Sequence, residues 1–393
     1  MNIKLYILII CLPLFSACQN YQTLVLAKTP HNQNLYLDNQ FYSADVIAIE
    51  NEQEIFALND EMRHMVSTKL IRSLPAEEKS LILLEHLFNE ENIALTYDGN
   101  ANLTASQAYQ KKRANCMSLT LMAYALAKAA GMKVKFREVD VPEYWIQNGQ
   151  YNYIAGHVNL LIEDDNTPKS RTKNKTMYRE AATQIDFDPF IAKKQFPEHT
   201  INKSRLLAMF YNNKGAEALV NNSTSRAYKY FKEATIADVT FSSAWGNLAI
   251  LYKLSGHLDT AEYAYIKAIN LQHNNLNALS NLALLLNEQS RFEEAQPIEE
   301  YIYKLRVVNP YYHASLGAKA LLEKSYKKAV LYYKKALEID GEQHEFYFGL
   351  AKAYYRQGEL TLAKHAMKKA VGVTQVKKTK KQYIAKLNLI NTY

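Results

Sequence analysis

Trp245-Gly246-Asn247-Leu248-Ala249-Ile250-Leu251-Tyr252, followed by Ala261-Glu262-Tyr263-Ala264-Tyr265-Ile266-Lys267-Ala268, decides how the C-terminal half folds. Apolar residues recur there at spacings of three and four, the period of a helix face. The pattern then returns along the chain. Ala227, Ala261, Ala295, Ala329 and Ala363 are 34 residues apart, and so are Gly215, Ala249, Ala283, Gly317 and Ala351. Ala234, Ala268, Ile302, Ala336 and Ala370 form a third register of the same period. One period held in three registers predicts a repeat array, in which each unit buries its apolar face against its neighbours.

The pattern resembles the tetratricopeptide repeat, whose consensus places are filled by Trp245, Leu248, Ala249, Tyr252, Ala261, Tyr265 and Ala268. On that resemblance an all-α solenoid occupies 205–393, with repeats near 208–241, 242–275, 276–309, 310–343 and 344–377. It implies a curved surface suited to extended peptides, hence a protein partner. Small residues are expected where paired helices come closest, and most tyrosines are expected to pack. The family's proline near the end of each repeat is replaced by His273, Val307 and Gly341, which implies looser turns between repeats.

Ahead of residue 205 the period changes. Ile55, Phe56, Leu58, Met62 and Met65 read as helical, as do Leu81, Leu83, Leu84, Leu87 and Phe88, with Pro75 between them. A third helix is expected over Cys116 to Ala130, with Asn115 as N-cap and Gly131 as the stop. Strand patterns follow at Lys133 to Val139, Ile154 to Ile162 and Met177 to Phe187, with a polar loop over Asp164 to Lys175. Helices first and strands second make 51–200 an α+β domain.

The run Arg113-Ala114-Asn115-Cys116-Met117-Ser118-Leu119-Thr120 sets a cysteine at the first turn of a helix. Unpaired N–H groups and the macrodipole favour negative charge there, as a thiolate nucleophile requires. A nucleophile also needs a base and a group that orients it. His157 lies on one expected strand and Asp186 on the next, and an antiparallel pair would set them near each other. Asp188, two residues on, shares the strand face of Asp186.

The order cysteine on a helix, histidine on a strand, aspartate on the following strand resembles the transglutaminase-like (papain-like) superfamily over roughly residues 50 to 195. Thr104-Ala105, Asn115-Cys116, Ala123 to Gly131 and His157-Val158 match its bacterial members, with Ala114 in place of the usual glycine. The resemblance implies an enzyme with Cys116, His157 and Asp186 as its triad. Asp188-Pro189 echoes the family's aspartate–proline and keeps Asp188 as a rival. The Cys116 thiolate would attack a peptide or glutamine amide carbonyl, and His157 would protonate the departing amine. The thioester left behind would pass to water or an amine, with hydrolysis favoured for an exported protein. Gln110 stands at a papain-like spacing for an oxyanion donor, and Trp145 lies in the connection before the histidine strand. The alternative is a non-catalytic scaffold in which the repeats carry the function.

The chain opens with Lys4 and an apolar run to Phe15, then Ser16-Ala17-Cys18. That is the pattern of a secretory signal. Cys18 resembles the lipid-modified cysteine of a bacterial lipobox, which implies a signal peptide over 1–17 and a lipid-anchored chain with a tether over 18–50. Gln19 implies the periplasmic face of the outer membrane. Cys11 leaves with the signal, so Cys116 is the one free thiol of the mature chain. At 393 residues, two or three domains are expected. With 12 glycines and 9 prolines against 29 tyrosines, the chain should be helix-rich and packed. The charge of +8 is modest, and the C-terminal lysines Lys364 to Lys386 read as a solvated helix face. No nucleic-acid motif is present. No ligand spacing joins Cys116 with His199 or His273 into a metal site, and no cofactor is called for.

Overall fold

One short helix stops at its C-cap Phe56 and Asn59 caps the start of the next, so the stretch around Met62 holds two helices before Pro75, not one. The computed structural model describes residues 34–41, 44, 46–71, 73–89, 92–141, 145–148, 151–154, 156–163, 182–185, 196–374 and 377–391. Helix α1 is Glu52–Ile55, α2 is Asp60–Lys69 and α3 is Ala76–Phe88. The Asn59 side chain accepts from the Met62 N–H at 2.8 Å, which caps α2. Helix α4 (Ala105–Lys111) begins at a capping box in which Thr104 and Gln107 bond each other's backbone.

Helix α5 (Cys116–Ala129) is the centre of this half. Met117, Leu119, Leu121, Met122, Leu126 and Ala127 are all buried, so it is apolar nearly all round, as a core helix must be. Gly131, at φ +75°, ends it. The N–H groups of Gly131 and Met132 donate to the carbonyls of Lys128 and Ala127 at 3.0 Å, the paired bonds of a Schellman stop.

Strands β1 (Thr96–Tyr97) and β2 (Arg113–Ala114) pair in parallel just before α5. The main sheet has the order β7-β6-β3-β8, antiparallel throughout. Its members are β3 (Lys133–Val139), β6 (His157–Glu163), β7 (Ala182–Ile185) and β8 (Glu198–Ile201). A separate hairpin joins β4 (Trp145–Asn148) to β5 (Tyr151–Ile154). The stretch expected as one strand from Ile154 to Ile162 is therefore two, because the chain changes pairing partner between Ile154 and His157. Trp145 lies in a strand of that hairpin, not in a plain connection. The expected loop over Asp164 to Lys175 lies outside the described residues, as does most of the expected strand over Met177 to Phe187. Phe136 pairs with Leu160, and Leu160 with Ile185. The Tyr124 ring of α5 sits 4.6 Å from that of Phe136.

The C-terminal half is five helix pairs. They are α6 (Lys203–Val220) with α7 (Thr224–Ala237), α8 (Ser242–Leu254) with α9 (Leu258–Leu271), and α10 (Leu276–Glu288) with α11 (Phe292–Arg306). Then come α12 (Pro310–Leu322) with α13 (Tyr326–Ile339), α14 (His344–Gln357) with α15 (Leu360–Val373), and a closing helix α16 (Lys377–Asn391). Second helices start at 224, 258, 292, 326 and 360, the 34-residue step of the sequence. The first pair starts ahead of residue 208, because Asn202 accepts from the Arg205 N–H at 2.8 Å and caps α6 there.

The periodic small residues have a steric cause. A Cβ added at Gly215 would stand 2.6 Å from the Phe231 ring. Gly317 and, outside the registers, Gly349 flank the ring of Tyr333, where added Cβ atoms would stand at 2.9 and 2.2 Å. A further series of the same period is conformational. Asn222, Gly256, Ser290, Lys324 and Gly358 all have positive φ, one in each turn within a pair.

Two of the turns where the family's proline is replaced carry side-chain bonds. Asn275 caps α10 and donates to Ser242 Oγ at 2.7 Å, while that hydroxyl donates to the Ala268 carbonyl at 2.7 Å. Asn309 caps α12, whose first residue is Pro310. At Asn275 side-chain bonds thus hold the place where His273 stands near the family's proline.

Residues read as a tether pack against the repeats from position 34 onward. Leu35, Phe41 and Ala44 are buried in a core that continues through α5 into the repeats as far as Ile302. A second core gathers Tyr333, Leu350, Met367 and Tyr383. Among the described residues, no helix is long and apolar enough to cross a membrane.

Candidate functional site

Cys116 is the first residue of α5 and half-buried. The start of that helix is fixed by a polar net. Asn115 accepts from the Ser118 N–H at 2.8 Å and donates to Asn102 Oδ1 at 2.6 Å. The Ser118 hydroxyl donates to the Ala101 carbonyl at 2.8 Å and accepts from the Leu103 N–H at 2.7 Å. Asn115 is therefore the cap that its place in the sequence indicated. Asn102 and Ser118 were not legible as its supports, because neither lies in a recognisable motif.

His157 is the first residue of β6 and buried. Thr120, one helical turn beyond Cys116, donates to the Val158 carbonyl at 3.3 Å. That bond sets the Cys116 end of α5 level with the beginning of β6. The pleat gives Val158, Leu160 and Ile162 to the core with α5, and His157 alternates with them alongside Asn159. Cys116 and His157 thus lie at the same end of the helix–sheet layer, with His157 on the strand face opposite Val158, Leu160 and Ile162, which pack with α5. The β6–β7 pairing runs from Glu163↔Ala182 to Leu160↔Ile185. Asp186, and its rival Asp188, lie outside the described residues. Gln110 is exposed on the last turn of α4 and is not gathered into a described oxyanion site.

The sheet carries a polar cluster of its own. Glu198 accepts from Arg137 at 2.5 Å and from Asn159 and Gln184 at 3.3 Å. These bonds cross four strands and read as a structural network, although the Arg137 Nε is buried without a hydrogen-bond partner among the described residues. His199 stands 3.4 Å from Glu138 and 3.7 Å from Asp140. Burial raises the Glu138 carboxyl above its usual range, although Arg205 and His199 oppose the shift. Among the described residues, no group of three metal-ligating side chains comes together.

A dense set of directed contacts lies between the N-terminal segment and the first repeats. Tyr36 stacks on Trp245, with ring centroids 5.9 Å apart, and its hydroxyl meets Thr235 Oγ1 at 3.0 Å. Phe41 stacks on Tyr228 at 4.5 Å and leans on Tyr252 at 6.2 Å. Asp38 accepts from Tyr228 at 2.8 Å and Lys232 at 2.5 Å. The Tyr252 hydroxyl donates to the Leu35 carbonyl at 2.7 Å. Further on, the Glu50 carboxylate accepts from Tyr230 at 2.7 Å and its carbonyl from Tyr211 at 2.9 Å.

Electrostatics follow this geometry. The Lys232 hydrogen bond, with that of Tyr228, holds the Asp38 carboxyl below its usual value against burial. Burial opposes ionisation of Glu50, yet the Tyr230 bond and the Lys214 charge bring it below its usual value. Burial pushes the Tyr228 and Tyr252 hydroxyls up, and Tyr211 to about 12, so all three remain donors at neutral pH. Sequence reading missed these contacts because one residue type, tyrosine, serves both packing and recognition.

Comparison with known proteins bears on the repeat half. The tetratricopeptide repeat family model matches residues 344–375, which are α14 and α15. Superkiller protein 3 of Schizosaccharomyces pombe is 24% identical over 156 residues, covering 38% of this chain and 11% of that protein. The human protein O-mannosyl-transferase TMTC3 is 27% identical over 210 residues, covering 50% of this chain and 22% of that protein. This chain thus spans between about a tenth and a quarter of the length of these curated relatives. A solved structure of Pseudomonas aeruginosa pilF superposes with a TM-score of 0.28 at 20% identity, over 48% of this chain and 91% of that one. The C-terminal half carries tetratricopeptide repeats.

Proposed function

We propose that the protein is a docking scaffold that binds another polypeptide along its repeats. The carrying observation is the array itself: five helix pairs stepping by 34 residues, with the repeat family matched at the last pair. Stacked pairs make a long, quasi-one-dimensional surface that an extended chain can follow. A photo-crosslinking amino acid placed at exposed Leu284, Tyr303, Leu331 or Tyr355 tests this in cells. Discrete adducts from these positions, and none from exposed Tyr97 in the first half, are expected. The reverse distribution refutes it.

A second reading, thiol acyl transfer at Cys116, is favoured by one observation. Thr120, bonded to Val158, brings the capped start of α5 to the first residue of β6, where His157 stands. In that reading Cys116 is the nucleophile, His157 the base and Asp186 or Asp188 the orienting carboxylate, in a transglutaminase-like site that hydrolyses peptide or glutamine amides. Iodoacetamide should then label Cys116 faster than a free thiol at neutral pH, and His157→Ala should slow that labelling. Labelling at or below the free-thiol rate, unchanged in His157→Ala, rejects this reading.

We further propose that Cys18 carries a lipid that holds the protein on the periplasmic face of an outer membrane. Residues 1–33 lie outside the described ones, and the support is their sequence. Incorporation of an alkyne fatty acid that is lost in Cys18→Ala is expected. Equal incorporation in both forms refutes the anchor.

A further inference from the structure

Between α7 and α8 runs a groove already filled by residues 35–41. Tyr36 sits where α7 ends and α8 begins, against Thr235, Lys232 and Trp245. Phe41 sits at the opposite end, against Tyr228 and Tyr252. Asp38 lies between them, held by Tyr228 and Lys232. Between the two rings the chain closes a turn, with the Phe41 N–H donating to the Leu37 and Asp38 carbonyls at 3.2 Å, so the segment lies in the groove as a compact turn whose rings reach both ends.

The contacts are of the kind used to read a peptide. A groove hydroxyl, Tyr252, donates to a backbone carbonyl of the segment, that of Leu35. A cation and a second hydroxyl hold a carboxylate. Aromatic residues of the groove face two rings whose spacing the segment's backbone sets. A site built to hydrogen-bond its occupant rejects one that lacks the acceptors, since its own donors would be left buried and unpaired. Two features thus select the occupant: aromatic rings at both ends, and an aspartate between them.

We propose that the α7–α8 groove is a peptide site selective for an aromatic–aspartate–aromatic segment, and that residues 35–41 are its built-in, displaceable occupant. Being covalently joined, the native segment competes at high effective concentration and keeps the groove shut against weak ligands. A partner segment that carries the same rings and aspartate on such a turn enters when it displaces the native one. This rests on the docking role of the repeats and adds which repeats, which chemistry and what gates them.

The test uses the full chain with Tyr36→Ala and Phe41→Ala in the native segment, and a fluorescent synthetic peptide of residues 33–45. Anisotropy should show the double variant binding the peptide at least ~10-fold more tightly than the parent, since the competing segment is weakened. Lys232→Ala in the groove, or Asp38→Ala in the peptide, should abolish that gain. Equal binding by parent and variant, with unchanged far-ultraviolet circular dichroism, overturns the proposal. If the double variant loses its fold, hydrogen exchange of the parent decides. Amides of residues 35–41 should open well before those of α7 and α8. Joint exchange of segment and helices makes the segment a fixed part of the core and overturns the proposal. Crosslinks from α10 to α14 do not depend on this groove, so the docking role and its gate fail separately.

Discussion

Gly349→Ala should destabilise the last repeats, although alanine is the better helix former. The glycine lies inside α14, where alanine alone would gain ~1 kcal/mol. Its new Cβ, however, would stand 2.2 Å from Tyr333 Cε1 and 2.3 Å from Cζ. Ordinary carbon contacts are ~3.5–4.0 Å, so the ring would have to retreat by more than ~1 Å. It has little room to do so. Gly317 closes the opposite edge, where a Cβ position is 2.9 Å away, and Leu350, Tyr354 and Met367 belong to the same core. Overpacking of this kind costs ~1–3 kcal/mol, which leaves a net loss of up to ~2 kcal/mol after the helix gain and a deficit of ~1–3 kcal/mol against an unobstructed Gly→Ala change. The assay is urea unfolding followed by circular dichroism, with Gly246→Ala as control. A Cβ at Gly246 meets Ala278 and Ala268 at 3.7 and 3.9 Å, so that variant should be as stable as the parent or more so. In a Tyr333→Leu background, the loss from Gly349→Ala should shrink or reverse. A Gly349→Ala protein as stable as Gly246→Ala would refute the steric role of Gly349 against Tyr333.

Lys324→Gly and Ser290→Gly should each raise the thermal midpoint, because both residues hold φ near +60°, where a side chain costs ~1–2 kcal/mol. Unchanged or lower midpoints would remove that strain from the turns. Tyr265→Phe should be neutral or stabilising by up to ~1–2 kcal/mol, since the Tyr265 hydroxyl is buried without a hydrogen-bond partner. Denaturant titration would contradict this if the variant lost as much as a deleted hydrogen bond. Seating of the N-terminal segment should weaken in acid. Asp38 and Glu50 both sit below their usual values, so their contribution is present above those values and fades as pH falls through the lower, folded ones. Trp245 emission in a Trp145→Phe background should therefore hold steady from neutral pH through ordinary carboxylate values, ~4, and shift only below them. A flat signal down to pH 2 would break the link between these carboxylates and the segment.

Much of the fold was legible where one periodicity dominates. Second-helix starts from Thr224 to Leu360 follow the alanine register, because a helix pair in an array can bury its face only at one phase. The cap at Asn115, the stop at Gly131 and strand β3 were legible for the same reason: local chemistry decides them. Partner choice was not. Nothing local tells that Ile154 pairs back on Trp145 while His157 joins the main sheet, since both stretches have the same apolar, β-rich composition. The positive-φ series was hidden because serine and lysine occupy places that glycine would have announced. The candidate thiol site was readable as a list of residues. Its geometry depends on the Thr120–Val158 bond, which no motif encodes. The groove occupied by residues 35–41 was invisible, because two aromatic rings in a polar stretch have no period to betray them.

The most direct measurement is hydrogen exchange on the full chain with peptides selected against it from a random display library. Docking along the repeats predicts slowed exchange within α6 to α15 and an unchanged rate around Cys116. Protection confined to α4, α5 and β6, with the repeats untouched, would contradict it and leave the thiol half as the working part of the molecule.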